Sequence, residues 1–283
     1  MNKKYLAIAL VVIIVVAGAL GYIAYNGTFS PKKPTLTVFA ASSMTNVIAN
    51  MTQSFEKANN CNIIVNSASS SALYTQITSG SPCDVYMAAN NKWVIDLYHS
   101  GLLYKNFYDN FTQNSLCIIV SAGNPKNITS LADLVNPGVR LIVADALVPV
   151  GEYTNDTVYN IIATWGNASS PLYVTSGAYL NYPAKFAANV VSYEDDDENI
   201  VGDVSLNIGT ADAGIVFYSD WAYGNMTGAQ VQFLLIPAAV NTIGTYAICV
   251  PSEATHTALA QTFENYWFST QGQALLTEFG FGS

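Results

Sequence analysis

Serine recurs twice in this chain where a hydroxyl could meet an anion. One segment is Phe39-Ala40-Ala41-Ser42-Ser43-Met44-Thr45-Asn46 and the other Ser67-Ala68-Ser69-Ser70-Ser71-Ala72-Leu73. Each follows a strand-like run, residues 36–39 and 61–65, and opens a helix-like one. After the first, Met44, Val47, Ile48, Met51 and Phe55 recur at the spacing of one helical face. A serine at such a corner lies beside unpaired backbone N–H groups and the positive end of a helix dipole. Two corners side by side make a neutral anion cradle of hydroxyls and amides that needs no lysine or arginine. The plainer reading makes both ordinary helix caps; the repetition of the pair in one strand–serine–helix context speaks against it.

Other chemistry is harder to find. The two histidines, His99 and His256, stand far apart in polar contexts and read as surface residues. There is no phosphate-binding loop, no G-x-S-x-G elbow and no spaced His/Asp cluster, so no enzyme is expected and no cofactor. The run Glu194-Asp195-Asp196-Asp197-Glu198 lacks the glycine and alternating ligand spacing of a calcium loop and reads as a solvated acidic loop.

The elements that must hold these corners alternate. Strands are expected near residues 84–88, 115–121, 139–144, 187–191, 213–217, 231–236 and 245–250. Helices are expected through Trp93, Ile95 and Leu97, over 130–135 and 151–165, and twice after 252 with a break at Gly272. Strands alternating with helices at this spacing imply parallel βαβ units. Late strands returning toward the first half imply two α/β lobes joined by more than one crossing, with a ligand cleft at the carboxyl ends of the strands. The expected division is residues 1–34 as anchor and tether, 35–118 with 246–283 as lobe I, and 119–245 as lobe II.

Composition narrows the class. Residues 5–25 are uncharged and almost wholly apolar, behind Lys3 and Lys4. That is long enough to span a bilayer with the N-terminus inside; a secretory signal usually has a shorter apolar core. An uncleaved anchor at the cell surface is expected, a cleaved signal being the alternative. Beyond residue 34 the chain carries six basic and nineteen acidic residues, net −13, which excludes nucleic acid as a partner. Seven Asn-X-Ser/Thr triplets, at Asn26, Asn50, Asn110, Asn127, Asn155, Asn167 and Asn225, suggest a glycosylated surface protein, archaeal or eukaryotic. The four cysteines, Cys61, Cys83, Cys117 and Cys249, are expected as disulfides in an oxidising compartment. Cys117 with Cys249 and Cys61 with Cys83 is the favoured pairing, with free buried thiols as the alternative.

The two serine segments, with Gln76-Ile77, Gly80-Ser81-Pro82-Cys83-Asp84-Val85, Asn114-Ser115-Leu116, Val148-Pro149-Val150-Gly151-Glu152-Tyr153, Glu198-Asn199-Ile200, Ala211-Asp212-Ala213-Gly214-Ile215-Val216-Phe217 and Glu278-Phe279-Gly280-Phe281, resemble the periplasmic molybdate-binding proteins of ABC transporters. The likeness covers nearly all of residues 35–283, in family order, and points to a membrane-anchored archaeal member. It implies a two-lobed, type II periplasmic-binding-protein-like α/β fold that closes on molybdate or tungstate. A monomer is expected, handing the ion to an ABC transporter permease. It assigns hydroxyl contacts to Ser43 and Ser70, backbone N–H contacts to Val150 and Ile200, and leaves Ser42 and Ser69 outside the pocket. Where the family commonly has a contacting tyrosine this chain has Phe217-Tyr218, so either the hydroxyl is lost or Tyr218 supplies it. A related archaeal tungstate-binding group adds two carboxylates, but Val148 and Phe217 or Tyr218 occupy those places here. No direct protein ligand to the metal is therefore expected. The residues agree with the resemblance: a molybdate dianion carries no proton and wants donors only, and neither corner contains a carboxylate. Sulfate or thiosulfate in the same pocket is the competing reading, and a glycosylated surface protein with a dead pocket is a further one.

Overall fold

The computed structural model describes residues 32–282 apart from 196 and 207–209. The expected anchor at 5–25 and the triplet at Asn26 lie outside the described residues. Among those described, no helix is long and apolar enough to cross a membrane.

Strand β1 (Thr35–Ala41) buries both faces, as a central parallel strand must, with Leu36, Val38 and Phe39 through Ala41 all inside. After a 3-10 turn over Ser42–Met44, helix α1 (Thr45–Asn59) turns Val47, Ile48, Met51 and Phe55 inward and ends on left-handed Asn60. There follow β2 (Asn62–Ala68), α2 (Ser70–Thr78), β3 (Val85–Ala88), α3 (Asn91–His99) and the 19-residue β4 (Leu103–Ser121). A second set comprises β5 (Leu141–Ala144), α4 (Pro149–Ile161), α5 (Tyr182–Asn189), β6 (Val190–Glu194), α6 (Asp197–Leu206), β7 (Ala213–Phe217), α7 (Tyr218–Thr227) and β8 (Val231–Leu235). The chain returns through β9 (Ile243–Pro251) and closes with α8 (Thr257–Phe268) and α9 (Thr270–Glu278).

The strands lie in the order β2-β1-β3-β9-β4-β7-β5-β6, with β8 also paired to β4. β1, β2 and β3 are mutually parallel, as are β5, β6 and β7, while β9 and β4 run antiparallel to their neighbours. β4 changes partners midway. It pairs with β9 as far as Ser115, and with β7 and β8 from Leu116 and Cys117 onward. The cores divide at the same point: one draws on residues 116–240, the others on 36–111 together with 246–281.

Several expectations change. The strand expected at 115–121 begins at Leu103, because a bulge-ridden polar stretch with two register shifts hides its first half. Ala187 lies in α5, a helix opened by Pro183, and the strand starts only at Val190. The break between the last helices is at Ser269, which caps α9 by accepting from Gly272 N–H at 3.1 Å. None of the four cysteines is in a disulfide. Cys117 faces Val216 and Leu235 across the sheet, whereas Cys249 faces Tyr86 and Tyr108, so the favoured pair sits in different cores.

Candidate functional site

Parallel strands in each half end toward one cleft. The last residue of β1 (Ala41) and of β7 (Phe217), with residues following β1 (Ser42, Ser43), β2 (Ser69, Ser70), β3 (Ala89), β5 (Val148, Pro149, Val150) and β6 (Asp195), line one small pocket. Every contributor thus sits at or just beyond a carboxyl end, where open α/β sheets place ligands. About 20 Å³ is open to the centre of a water-sized sphere, which suits a compact solute and not an extended one.

The serines are held in ways that decide what they can offer. Ser70 is fully buried; its Oγ accepts from the Ala89 N–H at 3.0 Å, and its carbonyl accepts from the Tyr86 hydroxyl at 2.7 Å. Burial holds the Tyr86 phenol far above its ordinary range, so that donor keeps its proton. With an oxygen lone pair already engaged, Ser70 can turn its O–H toward the pocket. Ser43 Oγ lies 2.8 Å from the Tyr246 hydroxyl. Neither is a helix cap: the α2 cap is Ser69, whose Oγ accepts from Ala72 N–H at 3.3 Å, and the turn at Ser42 has no side-chain cap. Ser42 and Ser69, expected outside the pocket, belong to its wall as well.

Opposite the serines, α4 starts at the pocket with Pro149 in its first turn and no side-chain cap. Val150, buried, therefore presents the open amide end and positive dipole of a 13-residue helix. Gly151 makes that approach possible: a Cβ there would lie 2.0 Å from the Asp145 carbonyl oxygen. Phe217 forms wall without a hydroxyl. Tyr218 is outside the lining and packs on Trp221 and Phe233, with ring centroids at 5.1 and 5.3 Å. Ile200 is also outside the lining; its side chain wedges α6 against β7, 2.6 Å from where a Cβ on Gly214 would sit.

Three features were not foreseen. Tyr246 backs Ser43 from β9, Tyr153 on α4 donates to the Ala89 carbonyl at 3.2 Å, and exposed Asp195 lies on the pocket lining. The Tyr153 bond joins one core to the other. Among the described residues no lysine or arginine lines the pocket, so an anion there is met by hydroxyls and helix dipoles.

Residues 36–282 match the family model described as bacterial extracellular solute-binding protein. The molybdate-binding protein ModA of Mycobacterium tuberculosis is 30% identical over 283 residues, covering 98% of this chain and 97% of that protein. Among solved structures, the substrate binding domain of a putative molybdenum ABC transporter from Clostridium difficile is 24% identical with a TM-score of 0.66, covering 89% of this chain and 99% of its own. The sulfate-binding protein SubI from Mycobacterium tuberculosis is 18% identical with a TM-score of 0.73, covering 88% and 86%. These neighbours share the two-lobed α/β fold.

Proposed function

Because the chain belongs to the bacterial extracellular solute-binding protein family, we propose that it captures a fully deprotonated tetrahedral oxyanion, molybdate or tungstate, and delivers it to an ABC transporter permease. It binds solute rather than transforming it. The observation that carries the ligand class is the pair of serines on a small pocket without cations, facing the uncapped start of α4. Ser43 and Ser70 supply hydroxyl donors, and Val150 supplies a backbone donor. The Ile200 amide, at the start of α6, is a further proposed donor, and Phe217 walls the ion in.

Sulfate is the second reading, favoured by the likeness to a sulfate-binding fold and by Phe217, which brings no extra hydroxyl for a larger ion. A thermal-shift panel of molybdate, tungstate, sulfate and phosphate on the purified chain separates them. Ligand at 100 times its dissociation constant stabilises by about 2.7 kcal/mol. Molybdate or tungstate should raise the midpoint at lower concentration than sulfate; the reverse order selects the second reading, and no shift with any anion removes both.

The two cores correspond to two lobes that close on the ion, and the crossings lie in β4 near Ser115 and in the segment leading into β9. The run at 5–25 serves as an uncleaved membrane anchor for a monomeric receptor on the cell surface. All six triplet asparagines among the described residues are exposed, which suits a glycan-bearing exterior. Membrane fractionation and N-terminal sequencing of the native protein test the anchor; a soluble mature form starting beyond residue 25 rules it out.

A further inference from the structure

We propose that Asn114 and Tyr246 form a buried relay that fixes the Ser43 hydroxyl as a donor toward the pocket and so biases the site against protonated oxyanions. This deepens the reading above and rests on it. The Ser219 backbone N–H can only donate, and it lies 3.4 Å from Asn114 Oδ1, which sets the amide with its carbonyl end toward α7. Asn114 Nδ2 then faces Ser219 Oγ at 2.8 Å and Tyr246 Oη at 3.3 Å, two acceptors for two protons. A phenol oxygen that receives the amide proton directs its own O–H to Ser43 Oγ at 2.8 Å. Ser43, now an acceptor on that side, has its proton left for the ligand.

The far end is anchored too. The Ser219 hydroxyl donates to Asp220 Oδ1 at 3.4 Å, and Asp220 Oδ2 accepts from the Phe217 N–H at 3.1 Å. Asn114 and Tyr246 are fully buried and Ser219 nearly so, so bulk water does not compete for these bonds. The Ala89 N–H does for Ser70 what Tyr246 does for Ser43. A dianion meets two aligned O–H donors; a protonated oxyanion that turns its own O–H toward Ser43 finds donor against donor.

The test compares the dissociation constants of molybdate and inorganic phosphate, in mildly acidic buffer where phosphate is protonated, by calorimetry on the wild-type chain, Tyr246→Phe and Asn114→Asp. Tyr246→Phe keeps the ring that meets Phe111, Phe217 and Phe281 edge-on and removes the hydroxyl. Asn114→Asp removes both amide protons and offers the phenol an acceptor, which turns the relay around. Tyr246→Phe should weaken molybdate while sparing or improving phosphate, moving the ratio of the two constants roughly tenfold or more; Asn114→Asp should move it further in the same direction, because its carboxylate also repels the dianion more than the monoanion. An unchanged ratio in folded variants overturns the relay and leaves the oxyanion reading standing; if Asn114→Asp does not fold, Tyr246→Phe decides alone. If the wild type binds neither anion, the reading of the site fails. The relay is then judged by proton NMR: a Tyr246 hydroxyl proton close to the Ser43 β-protons upholds it, and one pointing at Asn114 overturns it.

Discussion

Of the residues lining the pocket, Asp195 fits the proposed anion least, because a carboxylate at the rim would repel it. Its position follows from the sheet: β6 runs parallel beside β5, with Glu194 level with Ala144, so Asp195, the next residue of β6, emerges at the cleft. At a contact distance near 4 Å in a watery rim the repulsion is worth about 1 kcal/mol. Asp195→Asn should therefore tighten molybdate binding several-fold at low ionic strength and have little effect in high salt; equal affinities at low salt would mean the carboxylate points away from the ion. The serines were legible because strand, small residue and helix follow one another within a few positions. Tyr246 was not: it is one of eighteen tyrosines, and its bond to Ser43 spans 203 residues. The Phe217-or-Tyr218 alternative turns on which side of the β7 end the chain twists, and the packing of Tyr218 on Trp221 and Phe233 is invisible from local spacing.

At the level of elements, the start of α4 is the least tolerant piece. A methyl on Gly151 would press into the Asp145 carbonyl at 2.0 Å and the Ala144 carbonyl at 2.7 Å, both backbone, so the helix start must shift. Gly151→Ala should cost about 1–3 kcal/mol of stability and, by moving the Val150 amide, weaken oxyanion binding beyond that loss. Chemical denaturation and calorimetry on the same variant check the two together, and a variant that unfolds like wild type and binds like it would show that the approach is not tight. Helix α8 carries a different strain. Glu264 is buried, its Oε1 has no hydrogen-bond partner, and burial with Asp109 nearby pushes its carboxyl up to about 7. A raised folded value means the stabilisation is complete below the ordinary value of 4.5 and is lost as pH climbs through about 7. Glu264→Gln should match wild type in melting temperature at acid pH and exceed it in mildly alkaline buffer; parallel curves across that range would contradict it. Most βα units could be read from alternation, since β5 and β7 are continuous apolar runs and β1 is one from Val38 to Ala41. The first half of β4 could not, because Lys105, Asn106 and the bulges at its partner β9 interrupt the period of two.

For the whole molecule, the cores that meet along β4 and β9 explain how one pocket is assembled from residues 41–89 on one side and 148–217 on the other. Bonds cross from one side to the other at Tyr153 to Ala89 and at Asn114 to Ser219. Loss of the ligand is expected to permit opening by hinge motion in the crossing strands. Small-angle scattering should give a smaller radius of gyration with molybdate than without; identical curves would mean the halves do not move. The alternation of strands and helices made two α/β halves readable, whereas the point at which β4 leaves one core for the other is set by partner strands distant in sequence. The central claim, that Ser43 and Ser70 hold a tetrahedral oxyanion, is tested most directly by titrating molybdate into the wild-type chain and into Ser43→Ala and Ser70→Ala by isothermal calorimetry. A hydroxyl donating to a charged oxygen contributes roughly 1.5–3 kcal/mol, so each substitution should raise the dissociation constant of a single-site isotherm about 10- to 150-fold. Wild-type affinity retained in both variants would contradict the account.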